Sequence, residues 1–337
     1  MGIFLHMKLL IKLFFFVYIN FVYTQEIYHT GAITYSLSGG RFGDNMLAYY
    51  HAKYASIVSG LPLLYCEFPY SDQLVMHEKE LNLIDFDSNK FTKKVIFKKG
   101  DRLRLEKNKG ILYEIPYFPA YRQEHEDPHT NFFYFPVDWN NFVFKIEIQK
   151  MAAARNNLNL ISIPSNCLTI GIHIRHNSNG YDLPILHEVK TDSCPIRFKY
   201  CDVCFPLKHV PLSYYVQQLK RILKLYPDVP VYVFIFTDDY TPSRFIPMFI
   251  DAIPDSRVVY DYRHDINAHD KNVLEDFFSM ALFDCFIRPE SNIGIAASKI
   301  ADYKTLIIPS HHRWEGNNLI IDRVLIMHNG KTYEVNN

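Results

Sequence analysis

Residues 167–175 read CLTIGIHIR, and residues 229–239 read VPVYVFIFTDD. Each stretch is a mostly apolar run that ends in charged or polar side chains, which is typical of a strand buried on both faces of a parallel sheet. Between them, residues 211–226 place Tyr215, Leu219 and Ile222 at helical spacing. This order predicts strands at residues 167–174 and 229–236 with a helix between them, and therefore an α/β fold.

The same alternation continues to residue 308. We expect further strands at residues 32–35, 258–260, 285–287 and 306–308, and helices at residues 273–283 and 291–301. Before residue 160 the sequence pattern is different, with short apolar runs between loops rich in Pro, His and acidic residues. Together with a length of 337 residues, this change predicts two domains, at residues 26–160 and 161–337.

The first 25 residues have the pattern of an export segment. Lys8 and Lys12 precede an apolar run at residues 13–23, which is followed by a polar exit. A cleaved signal peptide and a retained signal anchor are both compatible with this pattern. We expect membrane association only through this segment, with a location in the secretory pathway or a Golgi-type membrane in a eukaryote, and export or membrane anchoring otherwise.

The overall charge excludes one class of partner. Lys plus Arg and Asp plus Glu both number 36, so no global imbalance draws the chain to nucleic acid. Residues 90–109 are locally basic, with nine Lys or Arg. We interpret them as a solvated hairpin around residues 99–101 and expect no nucleic-acid partner.

Three cysteines lie close together in the sequence. Cys194, Cys201 and Cys204 are followed by His209. The group is compatible with a disulfide-braced loop, with reduced thiols, or with a zinc site of three thiolates and one imidazole. All three interpretations stay open.

Two motifs place polar groups where a strand ends. Residues 39–46 read GGRFGDNM and predict a glycine-rich turn that leads into a helix, with Gly43 and Asn45 at its first turn. His173 and Arg175 end the strand at residues 167–174 and face the same side, because side chains alternate along a strand. A guanidinium there is suited to a phosphate, and the imidazole can donate or accept a hydrogen bond.

A third motif spans residues 272–297. It predicts a helix carrying Asp276, a short strand, and a second helix that begins near Ser291. The backbone N–H groups of Ser291, Asn292 and Ile293 would then lie at a helix N-terminus, which attracts anions. The small residues that follow, beginning with Gly294, allow close packing.

Together the three motifs resemble those of the fucosyltransferase superfamily, most closely the α1,2-fucosyltransferases, which are related to the α1,6- and protein O-fucosyltransferases. GGRFGDN is similar to the first motif of these enzymes, HIR to their H-x-R motif, and residues 276–294 to their third motif. The resemblance implies a GT-B fold, in which two Rossmann-like domains face each other across a cleft. The N-terminal domain would bind the acceptor and the C-terminal domain the nucleotide sugar.

The resemblance also implies an activity. It is an inverting, metal-independent transfer of fucose from GDP-fucose to a glycan hydroxyl, with an α1,2 linkage as the first expectation. The glycan is free or attached to a protein or a lipid, and no cofactor besides the donor substrate is expected. Arg175 and Asn45 would be catalytic. The donor would be bound by Gly43, His173, Asp276, Ser291, Asn292 and Ile293.

Some assignments stay open. The general base for the acceptor hydroxyl would be a carboxylate or a histidine, and the candidates are Asp44, Glu124, His125, Glu126 and Asp182. One alternative is a metal-dependent GT-A glycosyltransferase that binds its ion through Asp238 and Asp239. A second is a carbohydrate-binding relative without catalysis, in which the aromatic residues between positions 117 and 139 stack on sugars.

Overall fold

The computed structural model describes residues 24–37, 40–98, 104–116, 137–176, 206–268, 270–316 and 318–337. They belong to two units, of which the first ends at Arg155 and the second begins at Asn156. Each unit has its own sheet, which is parallel in the first unit and mainly parallel in the second, and helices connect many of the strands. The predicted α/β class is therefore confirmed. The arrangement of two domains across a cleft stays a prediction.

The first unit is built around a three-stranded parallel sheet. In chain order the strands of this unit are β1 (Ala32–Tyr35), β2 (Leu64–Tyr65), β3 (Leu81–Asn82), β4 (Lys93–Ile96) and β5 (Ile111–Ile115). The order in the three-stranded sheet is β1, β5, β4, and β2 and β3 form a separate two-stranded sheet. The strand predicted at residues 32–35 is confirmed. The hairpin predicted around residues 99–101 lies outside the described residues, and β4 and β5, which flank it in the sequence, are parallel.

Helices cover this sheet. They are α1 (Phe42–Ser59), α2 (Met76–Lys79) and α3 (Phe142–Met151), with short 3-10 turns at Ser71–Gln73, Leu83–Asp85 and Ser88–Lys90 and a helical stretch at residues 24–30. Helix α1 follows β1 directly, packs against it and also contacts α3. It ends at Gly60, whose left-handed backbone (φ +66°) suits a glycine.

Gly31, just before β1, cannot accommodate a side chain. Its φ is +95°, and a Cβ atom there would lie 2.7 Å from the carbonyl oxygen of Ile111. We expect Gly31→Ala to lower the free energy of unfolding by about 2–4 kcal/mol, because backbone strain adds to the clash. Gly330→Ala is the control, since its φ is also positive (+75°) but no atom of the described residues lies within 4 Å of its added Cβ. Denaturant unfolding measures both free energies of unfolding. If the two variants lose equal amounts, the clash at Gly31 makes no contribution and the prediction is wrong.

The second unit contains a seven-stranded sheet. In chain order its strands are β6 (Leu168–Ile174), β7 (Val231–Thr237), β8 (Val258–Tyr262), β9 (Cys285–Ile287), β10 (Thr305–Glu315), β11 (Asn318–His328) and β12 (Lys331–Asn336). The order across the sheet is β12, β11, β10, β9, β6, β7, β8. Strands β6 to β10 pair in parallel, whereas β11 and β12 are antiparallel additions. Each strand predicted in this region is present, and β9 has the predicted bounds.

The connections of the second unit are mostly helical. The helices are α4 (Leu212–Leu225), α5 (Phe245–Ala252), α6 (Val273–Met280) and α7 (Asn292–Ile300), and a 3-10 turn spans Pro242–Arg244. Helix α4 buries Tyr215, Leu219 and Ile222, the face predicted from their spacing. Helix α5 was not expected from the sequence.

The end of the chain differs most from the prediction. The predicted strand at residues 306–308 continues to Glu315, because Pro309 lies next to a register shift and so does not interrupt the ladder. Two further strands follow after turns at Gly316 and at Asn329 and Gly330, all three of which have positive φ. The result is an antiparallel meander on an otherwise parallel sheet.

Within the described parts of the chain, no helix is both long enough and apolar enough to cross a bilayer. The apolar run at residues 13–23, on which the predicted signal peptide or anchor depends, lies outside those parts. The export prediction therefore stays a prediction.

Candidate functional site

Three neighbouring strands of the second unit bring charged residues to one edge of the sheet. Strand β6 lies between β7 and β9 and runs parallel to both. Arg175 follows β6, Asp238 follows β7, and Arg288 follows β9. In open parallel sheets, ligands bind at this edge, beyond the carboxyl ends of the strands.

Arg175 is held in place by a carboxylate. Its Nη1 donates to Oδ2 of Asp238, and Oδ1 of Asp238 accepts the backbone N–H of His176 at 2.8 Å. The side chains of Arg175 and Asp238 are each 7% exposed. This ion pair fixes the direction of the Arg175 guanidinium, a group whose rigid fork of N–H donors suits carboxylates and phosphates.

The neighbouring carboxylate has different partners. Oδ2 of Asp239 lies 3.0 Å from Nδ1 of His176 and forms an ion pair with Arg244, and Oδ1 accepts the backbone N–H of Thr241 at 2.7 Å. Asp238 and Asp239 are thus each paired with an arginine. Among the described residues, no group of three or more His, Cys, Asp or Glu is placed to hold a metal ion.

His173 is a neutral imidazole beside this pair. Its burial, with the charges of Arg175 and Arg288, lowers its pKa to about 3. Nδ1 is buried and accepts no hydrogen bond from any described residue. Gly294 packs against the ring, since a Cβ atom at that position would lie 2.7 Å from Nδ1. At neutral pH the site therefore contains an uncharged hydrogen-bonding group next to its arginine.

Helix α7 begins at the same edge of the sheet. Ser291 is its N-cap, and its carbonyl oxygen accepts the N–H of Ile295 at 2.9 Å, whereas its side chain makes no capping bond. The N–H groups of the first turn, which include those of Asn292 and Ile293, have no partner within a helix. They and the helix dipole favour a bound anion.

Arg288 is a buried arginine between β9 and α7. It is 1% exposed, its Nη1 donates to the carbonyl oxygen of Pro289 at 3.1 Å, and the same atom lies 3.5 Å from Oε1 of Glu290. Its backbone N–H donates to Ile307 in β10 at 3.2 Å. Arg288 therefore braces the turn that presents Ser291.

Asp276 lies in the first turn of α6 and is paired with Arg263, which follows β8. Nε and Nη2 of Arg263 both donate to Oδ1 of Asp276, at 2.9 and 2.5 Å. Burial raises the pKa of Asp276 to about 6 even though Arg263 acts to lower it. The donor-binding role of Asp276 stays a prediction.

The remaining predicted site residues lie in the first unit, at the start of α1. Gly43 is buried there, and Nδ2 of Asn45 donates to the carbonyl oxygen of Gly40 at 3.3 Å. Oδ1 of Asn45 is buried and has no hydrogen-bond partner among the described residues. Asp44, a candidate general base, accepts the backbone N–H of Arg41 at 3.1 Å and so helps to cap the helix.

Several predictions lie outside the described residues. They concern the base candidates Glu124, His125, Glu126 and Asp182 and the cysteines Cys194, Cys201 and Cys204. The aromatic residues of the carbohydrate-binding alternative lie outside them up to residue 136.

Sequence reasoning missed three residues of this edge. It assigned no role to Arg263 or Arg288, and the only specific role it gave to Asp238 was that of a metal ligand. The sequence did contain an indication for both arginines. Each directly follows a strand, and residues in that position lie at the carboxyl edge of a parallel sheet. The pairing of Asp238 with Arg175 has no local signal, because 63 positions separate them.

Comparisons with known proteins find a likeness in structure only. No family model matches the chain, and no curated protein matches it in sequence. Among solved structures, it is similar to POFUT1 in complex with GDP-fucose, with 11% identity, a TM-score of 0.40, and coverage of 82% of this chain and 95% of that chain.

Two other solved structures are similar at the same level. A mutant of Arabidopsis thaliana FUT1 in complex with GDP has 10% identity and a TM-score of 0.48, with 85% of this chain and 71% of that chain covered. NodZ alpha-1,6-fucosyltransferase soaked with GDP-fucose has 12% identity and a TM-score of 0.37, with 91% and 99% covered. Because these identities and TM-scores are low, the function proposed for this chain is argued from its own residues and not from these similarities.

Proposed function

We propose that this protein is a glycosyltransferase that moves fucose from GDP-fucose to a hydroxyl group of a glycan. The observation that carries the proposal is the ion pair of Arg175 and Asp238 at the sheet edge where α7 begins. An aligned guanidinium and a helix N-terminus are both suited to the diphosphate of a nucleotide sugar. The motifs in which these residues lie resemble those of fucosyltransferases.

In the proposed reaction, the main task of the site is to stabilise the charge of the leaving group. As the bond between fucose C1 and the phosphate oxygen breaks, negative charge builds on the departing GDP. Arg175 and the N–H groups at the start of α7 stabilise that charge, and Asp238 keeps the guanidinium aligned before the reaction begins. His173 is uncharged at neutral pH and contributes a hydrogen bond rather than a second positive charge.

We infer that the transfer needs no metal ion and inverts the configuration at C1. Arginines already pair with both carboxylates that the metal-dependent alternative requires, so a cation would have to displace them. With leaving-group charge stabilised by the protein, the acceptor oxygen attacks C1 from the opposite side through an oxocarbenium-like state, and the acceptor hydroxyl gives up its proton to a general base. Asn45 is the second proposed catalytic residue, on the strength of the motif in which it lies.

Analysis of the product tests which hydroxyl group accepts fucose and whether the configuration at C1 is inverted. We expect the purified protein, in the presence of EDTA, to transfer fucose from GDP-fucose to the 2-hydroxyl of a galactose-terminated glycan. NMR of the product would show a configuration at C1 opposite to that of the donor. A requirement for Mn²⁺, or retention of configuration, would contradict the proposed mechanism. Transfer to another hydroxyl would contradict only the α1,2 linkage.

A further inference from the structure

The chain enters the first unit at the amino edge of its three-stranded sheet. The helical stretch at residues 24–30 follows directly after the apolar run at residues 13–23 and leads through Gly31 into β1. Strands β1, β4 and β5 are parallel, so the residues that precede each of them lie at the same edge. The point where the predicted export segment joins the first unit is therefore at this amino edge.

The helical stretch is bonded to the segments that precede β4 and β5. The backbone N–H of Asn108 donates to the carbonyl oxygen of Thr30 at 2.9 Å. The N–H of Asp87 donates to the hydroxyl of Tyr28 at 2.8 Å, and Nζ of Lys90 lies 5.7 Å from the centre of the Tyr28 ring. These contacts fix both segments beside the start of the described chain.

Both segments carry exposed lysines, two at the start of β4 and two just before β5. We call them the amino-edge lysines, and they are Lys90, Lys93, Lys107 and Lys109. Within the described parts of the chain, none of the four takes part in an ion pair. Four ammonium groups are therefore available to an anionic partner at the edge where the chain enters.

The surrounding residues do not neutralise this charge. Residues 90–98 and 104–109 contain seven Lys or Arg, and their one carboxylate is that of Glu106. Glu26 and Asp87 add negative charge on the adjoining segments but leave positive charge in excess. A basic surface beside a membrane-inserted segment attracts anionic lipid head groups, and each lysine near the bilayer contributes about fivefold in affinity.

We propose that the amino edge of the first unit is a second membrane contact, which binds anionic lipid head groups through the amino-edge lysines. A single apolar anchor holds a protein on a bilayer more stably when a basic surface supports it. The inference extends membrane association from the N-terminal segment to the folded unit. It does not depend on the reaction proposed above.

This contact would leave the opposite edge of the sheet accessible. Helix α1 begins after β1 at the carboxyl edge, where Asn45 lies, and ends at Gly60. A Cβ atom at Gly60 would lie 2.6 Å from Nζ of Lys107, so this end of α1 is at the amino edge. With the amino edge on the bilayer, the start of α1 faces away from the membrane and remains open to a glycan.

The first test measures how fast each lysine of the full chain reacts with an amine-specific reagent, as read by mass spectrometry. The protein is bound to phosphatidylcholine vesicles with or without about 30 mol% phosphatidylglycerol. We expect the amino-edge lysines to react at least about fivefold more slowly on the anionic vesicles. Salt at about 0.5 M should remove most of this protection, because it screens exposed charges.

Lys98 is the internal control for this measurement. It is exposed and follows β4 at the carboxyl edge, five positions after Lys93. Five residues of extended chain span about 16 Å, which exceeds the Debye length of about 10 Å at 0.1 M salt. We therefore expect the rate for Lys98 to differ by less than about twofold between the two kinds of vesicle.

The second test measures how the full chain distributes between neutral and anionic vesicles that are separated by flotation. The double variant Lys93→Gln/Lys109→Gln should lower the preference for anionic vesicles at least about tenfold. Lys8 and Lys12 contribute the same in every variant.

The matched control is Lys94→Gln/Lys98→Gln, which removes the same charge from the same part of the sequence. Lys94 is already neutralised by its ion pair with Glu114, and Lys98 lies at the far edge. This variant should change the preference by less than about threefold. Thermal unfolding shows that both double variants are folded.

Three outcomes would overturn the proposal. They are equal reaction rates of the amino-edge lysines on both kinds of vesicle, equal losses of preference in the two double variants, and protection by heparin but not by anionic vesicles. The last outcome would assign the surface to an acidic glycan. If Lys93→Gln/Lys109→Gln does not fold, the reaction rates of the wild type decide. Neither test uses GDP-fucose, so failure of the proposed function leaves this inference standing.

Discussion

Replacing Arg175 with alanine is expected to lower the rate of fucose transfer by about 10²–10³, the usual effect of removing one preorganised group that stabilises developing charge. The substitution also leaves Asp238, whose side chain is 7% exposed, without its arginine at the site where GDP gains negative charge. Affinity for GDP should therefore fall as well. Initial rates with GDP-fucose and calorimetric titration with GDP measure the two effects separately.

Arg244→Ala is the matched control for this prediction. Arg244 pairs with Asp239, the neighbouring carboxylate, but its side chain is 43% exposed. The Asp239 side chain is 3% exposed, but without Arg244 it keeps His176 and the backbone N–H of Thr241 as partners. The half-exposed guanidinium contributes about 0–1 kcal/mol, so we expect a change of less than about fivefold in the transfer rate. A folded Arg175→Ala protein that keeps the transfer rate of the Arg244→Ala protein would refute the role given to Arg175.

Gly294→Ala is expected to disturb both the site and the stability of the second unit. The added Cβ would lie 2.7 Å from Nδ1 of His173 and 3.4 Å from Cδ of Arg288, and both side chains are buried. Overpacking of this kind costs about 1–3 kcal/mol, although alanine is the better helix former by about 1 kcal/mol. We expect a net loss of up to about 2 kcal/mol in the free energy of unfolding and at least tenfold weaker binding of GDP.

Ser298→Ala controls for a substitution elsewhere in the same helix. Among the described residues, its hydroxyl bonds only the carbonyl oxygen of Ile295, at 2.7 Å, so GDP affinity should stay within about twofold of the wild type. If Gly294→Ala proves as stable as the wild type and binds GDP equally well, the close packing of α7 on His173 is not required.

The elements that carry the site were predictable from the sequence because their signals are local. The apolar run of β6 and the helical spacing of Tyr215, Leu219 and Ile222 each lie within a short segment. Parallel strands then require that polar residues following neighbouring strands meet at one edge. Arg175 and Ser291 could be assigned to that edge without any knowledge of their contacts.

The partners of these residues were not predictable, because they depend on tertiary contacts. Asp238 could pair with an arginine or bind a metal ion, and only the position of β7 beside β6 decides between them. Arg263 reaches Asp276 because the loop that follows β8 folds back on the sheet. Neither pairing leaves a periodic pattern in the sequence.

The antiparallel meander had a usable signal that the prediction did not weigh. Asn329 and Gly330 lie between His328 and Lys331, which pair with each other, so they form a two-residue hairpin turn. Both have positive φ, and Asn-Gly is the sequence that such turns prefer. The strand predicted at residues 306–308 stops just before Pro309 and is too short, because a proline next to a register shift does not break a ladder.

Binding of GDP-fucose to the purified protein in the presence of EDTA tests the central claim most directly. A nucleotide-sugar site formed by Arg175, Asp238 and the start of α7 predicts saturable binding without a divalent ion, and weaker binding in Arg175→Ala. Absence of binding by a folded sample, or binding that appears only when Mn²⁺ is added, would contradict the account.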